Sequence, residues 1–229
     1  MQYKLIRSKR KTISISFDND VNVVVKAPNW VSKSQINSFV SEKEDWINAT
    51  RVRLINAKKN ELKERLQLKN GDELPFWNEK LTLTVIREER KTGKVKQIQN
   101  RLLLWIPYDA DYEMKRSLVE KWYRKQAAEL IPQKTYQFAN KLGVQYKDIS
   151  IKNQKSRWGS CSSKGNLNFN FRIMMAPEKV CEYVIWHELC HLVHMNHSES
   201  FWNLVSSNCS DYKICKQWLK ENVKMLYQI

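Results

Sequence analysis

The segment Trp186-His187-Glu188-Leu189-Cys190-His191 constrains this chain more than any other, because it sets an HExxH pattern in an almost wholly apolar stretch. Residues four apart on an α-helix lie one above the other on one face. His187 and His191 can therefore present two imidazole nitrogens to a single ion, with Glu188 beside it. From Val180 to Val193 the run is apolar on nearly every side, and a helix of that kind is a buried one. Two histidines and a glutamate are costly in a buried helix unless they are paired or bind a metal. Catalytic zinc takes three protein ligands and keeps a fourth position for water, so a third donor has to come from beyond this helical turn.

The remaining two of the four histidines, His194 and His197, follow closely. His194 shares the bearing of the first two but lies roughly 10 Å beyond His187 along the axis while the helix continues, at about 1.5 Å per residue. His197 is the expected third ligand, which requires the helix to end first. Asn196 tolerates a left-handed turn and is the expected point of reversal, with Ser198 capping a following helix that bears Phe201 and Trp202. Cys190 sits about 80° from the midline of His187 and His191, at roughly 100° per residue, and is read as packing.

Upstream, Thr12 to Phe17 and Val21 to Val25 alternate apolar and polar residues around Asp18-Asn19-Asp20, the pattern of a hairpin. The nearby cluster Arg7, Lys9, Arg10 and Lys11 reads as charge that blunts a strand edge. Ser32 or Ser34 caps a helix carrying Ile36, Phe39, Val40, Lys43 and Ile47, expected to run to about Leu66. Strands are expected over Leu81 to Val85 and Leu102 to Ile106, with a turn at Gly93. From Asp111 the pattern is helical through Met114, Leu118, Val119, Trp122 and Leu130. Pro132 predicts a kink or break there, and Gly143 a stop. Ile149 and Ile151 begin a strand, and Leu167, Phe169, Phe171 and Ile173 alternate as another. An unpaired edge of that second strand beside the metal helix could hold an extended peptide by main-chain hydrogen bonds. Pro177 is expected at the first helical position, where a missing N–H does no harm. The fold class is thus α+β. A strand-rich region with one long helix spans 1–109, and a metal-binding region spans 110–229, the two packing as one compact unit.

Composition narrows the function. Five glycines leave no glycine-rich phosphate cradle, and five cysteines without a repeating spacing fit free thiols better than a disulfide framework. No apolar stretch approaches the length that crosses a bilayer, and the N-terminus lacks a signal-peptide core, so the expected location is the cytoplasm with no membrane partner. Forty basic against twenty-four acidic residues give a net charge of +16. That excess favours nucleic acid or another polyanion by counterion release, although it is spread over both halves as a solvated surface would be.

Arg157-Trp158-Gly159-Ser160-Cys161, the run Asn168-Phe169-Asn170-Phe171-Arg172, and His187-Glu188-Leu189-Cys190-His191 with Asn196-His197-Ser198 and Phe201-Trp202 together resemble the YgjP-like zinc metallopeptidase family. The amino-terminal hairpin and Trp46 fit it as well, while Trp77-Asn78 stands where many members have Leu-Gly. That family is similar to the SprT type of zincin. The resemblance implies a zincin-like domain with an active-site HExxH helix, His187, His191 and His197 as ligands of one zinc ion, and Glu188 as the catalytic acid/base. Arg157, Trp158, Asn168 and Asn170 are candidate substrate-binding residues, and Arg157 and Tyr183 candidate oxyanion donors. The spacing of the histidines also equals that of the metzincins, but His194 stands where those have glycine.

Three functions are compatible with this reading. The first is a zinc-dependent peptidase acting on peptide or protein substrates, in which the metal activates a water and Glu188 moves its proton to the leaving amine. The second is a metal-dependent nucleoside triphosphate pyrophosphatase, a label the family has also carried. The third is a nucleic-acid-binding module with a structural zinc. A closed four-ligand site would mark the third, and an open position beside Glu188 one of the first two.

Overall fold

A computed structural model of the protein describes residues 1–64 and 66–229, and of residues 58–64 the backbone course only. The chain forms two compact units, Met1–Arg65 and Leu66–Ile229. The division expected from patterning at 109/110 falls inside the second unit.

In the first unit, β1 (Lys4–Ser8), β2 (Ser14–Phe17) and β3 (Val23–Pro28) form a sheet in the order β1-β3-β2, with the expected antiparallel hairpin between β2 and β3. The Asp18 carboxylate accepts the Asp20 and Asn22 N–H groups at 2.9 Å each, which helps hold Val21 at a φ of 63°. Arg7 donates from Nη1 to the carbonyls of Pro28, Asn29 and Val31 at 2.8–3.1 Å, so this cation of the basic cluster ties down the chain after β3. Ser32 and Gln35 then make a reciprocal capping box. The single helix expected from there is two, α1 (Lys33–Glu42) and α2 (Glu44–Glu64). Lys43 leaves helical geometry between them, and Glu44 and Asp45 supply the negative charge that a fresh helix N-terminus favours. Val23, Val25, Ala27, Ile36, Val40 and Ile47 make the core of this unit.

The second unit begins with β4 (Glu73–Phe76), β5 (Glu79–Arg87), β6 (Lys94–Ile98) and β7 (Arg101–Ile106) in the order β4-β5-β7-β6. Their inward face carries Leu81, Leu83, Leu102, Leu104 and Ile106. Helix α3 (Tyr112–Leu142) starts at an Asp111 cap and stops at Gly143, whose φ is 71°. Pro132 does not break it. The buried stripe Val119, Trp122, Tyr123, Ala127, Ile131, Thr135 and Ala139 runs past the proline without losing register, and burial along 31 residues outweighs a local cost of about 3 kcal/mol.

A second sheet of this unit holds β8 (Asp148–Lys152), β9 (Gly159–Cys161) and β10 (Asn166–Asn170) in the order β8-β10-β9. Two expectations change here. The strand expected to reach Ile173 ends at Asn170, because the Asn170 side chain accepts the Arg172 N–H at 3.2 Å and turns Phe171–Met175 into a 3-10 helix. β10 is also the central strand, paired on both sides, so the sheet's edges are β8 and β9, and β9 is the edge strand that packs on the helix Glu178–Cys190. Four helices follow: α4 (Glu178–Cys190), α5 (Glu199–Asn208), α6 (Tyr212–Glu221) and α7 (Val223–Leu226). Among the described residues no helix is long and apolar enough to cross a membrane.

Candidate metal centre

Pro177 stands one position outside α4, as its N-cap, and its carbonyl accepts the N–H groups of Val180 and Cys181. The helix is buried on nearly all sides, by Val180, Cys181, Tyr183, Val184, Ile185, Trp186, Leu189 and Cys190. Val193 is 48% exposed, because α4 has already ended at Cys190. The chain leaves the axis through a tight turn in which the Leu192, Val193 and His194 N–H groups bond back to the carbonyls of Leu189 and Cys190. The chain bends at Met195 and Asn196, where the reversal is expected, but no described residue between His191 and Ser198 adopts a positive φ, so the turn is made without a left-handed residue. Ser198 caps α5 as expected, accepting the Phe201 N–H.

This path returns His197 to the two helical histidines. One ligand atom from each of His187, His191 and His197 lies within 4.8 Å of the others, and the Nε2 atoms of His187 and His197 are 3.1 Å apart. Ligand nitrogens at about 2.0–2.1 Å from one tetrahedral ion lie roughly 3.3 Å from each other, so this donor set fits a divalent cation of the zinc type. His191 Nδ1 sits 3.1 Å from the His194 carbonyl. A carbonyl can only accept, which places the proton on Nδ1 and leaves Nε2 free for an ion. His194 thus serves the cluster through its backbone, and its ring is outside the group. Phe201 stacks on His191 with centroids 4.5 Å apart, and Trp202 on His197 at 5.6 Å, fixing both rings. Burial, then the neighbouring His191 and His197 and Lys216, push the His187 imidazole down to about 3, so it is neutral as a ligand must be.

Glu188 follows His187 and is 4% exposed. Burial pushes its carboxyl up to about 8, with Arg157 acting in the other direction. Its side chain lies flat against β9, where a Cβ built on Gly159 would stand 2.5 Å from Glu188 Oε1 and 2.7 Å from Cγ. In the sequence Gly159 stands out only as part of the motif Arg157-Trp158-Gly159-Ser160-Cys161. A glycine between half-buried residues also signals a close backbone approach, and that was the clue to it.

A cavity of about 360 Å³ opens beside His187 and Glu188, bounded by Arg157, Trp158 and Gly159 on one side and by Lys216, Leu219 and Lys220 of α6 on another. Tyr183 also faces it, its phenol pushed well above the ordinary value by burial. Of the candidate substrate residues, Arg157 and Trp158 line this cavity and Asn168 and Asn170 do not. Asn168 donates to Ser160 Oγ at 3.2 Å across the sheet. Asn170 is fully buried and donates to the carbonyls of Gln154 and Arg157 at 2.7 and 3.2 Å, holding the segment that carries Arg157. Sequence patterning gave no signal for Lys216 and Lys220, which α6 brings to the cavity.

A profile of the YgjP-like metallopeptidase domain matches residues 11–222. Among solved structures, the chain is similar to the metallopeptidase zymogen of Pyrococcus abyssi abylysin, at 21% identity over 40% of this chain and 94% of that one, with a TM-score of 0.36. It is similar also to the metallopeptidase zymogen of Methanocaldococcus jannaschii jannalysin, at 26% identity over 39% and 95%, with a TM-score of 0.34. No curated protein matches significantly.

Proposed function

Since the chain belongs to the YgjP-like metallopeptidase family, we propose that it is a zinc-dependent peptidase in which His187, His191 and His197 hold the metal and Glu188 is the general base. The observation that carries this reading is the convergence of three imidazole donors at the end of a buried helix, with a carboxyl group of raised proton affinity in the next position. When bound, zinc supplies Lewis acidity, polarising a carbonyl and making a water more acidic.

The remaining work falls to the protein. The Glu188 carboxylate accepts a proton from the attacking water and returns it to the leaving amine, and contact with Gly159 keeps it in one place for both transfers. Approach of a cation lowers its proton affinity from the metal-free value, toward the range where it can accept and release within one turnover. The free edge of β9 is the surface on which an extended substrate can add main-chain hydrogen bonds. Of the candidate oxyanion donors, Tyr183 faces the same cavity and offers its hydroxyl to the oxyanion. Three histidines leave one coordination position open, which favours catalysis over a purely structural zinc. The cations at the cavity rim also suit a nucleotide, and the +16 charge suits nucleic acid, so the test must separate these substrates.

Metal analysis of protein purified without added metal is expected to find one zinc per chain. Glu188→Gln should retain the fold and the zinc and lose turnover on a peptide library. Hydrolysis of a nucleotide panel with no peptide cleaved would replace this reading by the pyrophosphatase one.

A further inference from the structure

Three cations surround the cavity beside His187 and Glu188, and they come from two separate elements: Arg157 from the segment entering β9, Lys216 and Lys220 from α6. Residues four apart share a helix face, so the two lysines stand side by side despite their mutual repulsion. Lys213, one turn earlier, extends the row along a second concavity of about 630 Å³ that Lys216 and Lys220 also line. Glu188 is the only carboxylate on either lining. Of the acidic residues nearest in sequence, Asp211 is paired with Lys179 at 3.5 Å and Glu221 accepts from the Gln217 side chain at 2.6 Å.

Lys216 is also held in place. Its Nζ lies 4.5 Å from the centre of the Trp202 ring, and Trp202 stacks on His197. A lysine seated on an aromatic face loses much of the freedom of a surface side chain. The cavity volume is at the small end of ligand-binding clefts, and Tyr183, Val184 and Leu219 give it an apolar wall beneath the charged rim. Such a space takes a short aliphatic stem that ends in a negative charge.

We propose that Arg157, Lys216 and Lys220 are specificity-determining residues that select peptides with an aspartate or glutamate next to the scissile bond. This inference rests on the peptidase reading of the site. The substrate methylenes lie against Tyr183 and Leu219, and the carboxylate sits among the three cations. Lys213, Lys216 and Lys220 also form a row of the kind a phosphate chain follows, but only Lys216 and Lys220 join Arg157 around the cavity beside the reacting centre, and it is this grouping around one short apolar space that suits an acidic side chain.

The test uses the full-length zinc protein and a peptide library, with matched pairs in which Asp or Glu is replaced by Asn or Gln. The wild type is expected to cleave the acidic member roughly tenfold more efficiently, with the difference mainly in KM, because the contact is already made in the ground state. Lys216→Glu combined with Lys220→Glu should reverse the preference toward Lys or Arg at that position, an outcome that simple loss of structure cannot produce. A second readout does not depend on turnover: Glu188→Gln protein should bind the acidic peptide more tightly than its amide partner, and Lys220→Ala should narrow the gap. Cleavage without acidic preference, or a preference that the charge reversal leaves unchanged, overturns the inference while the peptidase reading stands. Displacement of the acidic peptide by an equimolar single-stranded oligonucleotide also overturns it. If no peptide is cleaved at all, the peptidase reading fails and the inference falls with it.

Discussion

A methyl group placed on Gly159 would have to share space with the Glu188 carboxyl, since the approach is 2.5 Å to Oε1 and 2.8 Å to Cδ. The carboxyl cannot retreat far, because α4 behind it is packed on nearly every side. Gly159→Ala is therefore expected to turn Glu188 out of position and to cost about 1–3 kcal/mol of stability by overpacking. Zinc content should remain at one per chain, since the three histidines are untouched. Metal analysis beside kcat on a cleaved peptide checks this, and an alanine variant with wild-type kcat would show that the contact does not position the carboxyl. The HExxH residues were legible in sequence because their chemistry repeats at the helical period. Gly159 was not, because the residue it accommodates is brought to it by another element.

Among the elements, the short turn after α4 decides which histidine completes the cluster. It ends the helix at Cys190, sooner than expected, and the His194 ring lies outside the group of three. His194 is instead occupied through its carbonyl, which orients the His191 ring. That contact is made by backbone, so His194→Ala should leave zinc affinity within a few fold of wild type. His197→Ala should weaken it by at least an order of magnitude. A chelator competition that ranks the two variants the other way would exclude His197 as the third ligand. The misplaced elements have two causes, tertiary packing in one and a local side-chain hydrogen bond in the other. Pro132 stays inside α3 because the buried stripe continues past it, and the strand before the 3-10 helix stops where the Asn170 side chain finds a closer partner. Nothing in the sequence singles out Lys216 and Lys220, because the cavity they line is formed only by the packing of α6 against α4.

For the whole molecule, the buried ionisable groups of the cluster link folding to pH once the metal is removed. The Glu188 carboxyl is raised to about 8 from an ordinary value of 4.5, so between those values the folded chain holds a proton that the unfolded chain has lost, and stability falls as pH rises. His187, lowered to about 3 from 6.5, works in the opposite direction, because stability falls as pH drops below 6.5. The two oppose each other from about 4.5 to 6.5, and above 6.5 the Glu188 effect acts alone. Chelated protein is thus expected to lose stability from pH 6.5 to 8, with a slope no steeper than about 1.4 kcal/mol per pH unit. Glu188→Gln should flatten that slope. Urea denaturation across the range decides it, and a slope that survives the substitution would place its source elsewhere.

The return of the chain between Cys190 and Ser198 also fixes an order of assembly. Helix α4 by itself offers two nitrogens, and the third arrives only when α5 has settled with Phe201 and Trp202 against the histidine rings. An ion held by all three would clasp a loop of ten residues, a closure that costs little chain entropy because the loop is so short. Loading would then come late, after the second unit has folded, and an unfinished chain would bind zinc only as loosely as any pair of histidines.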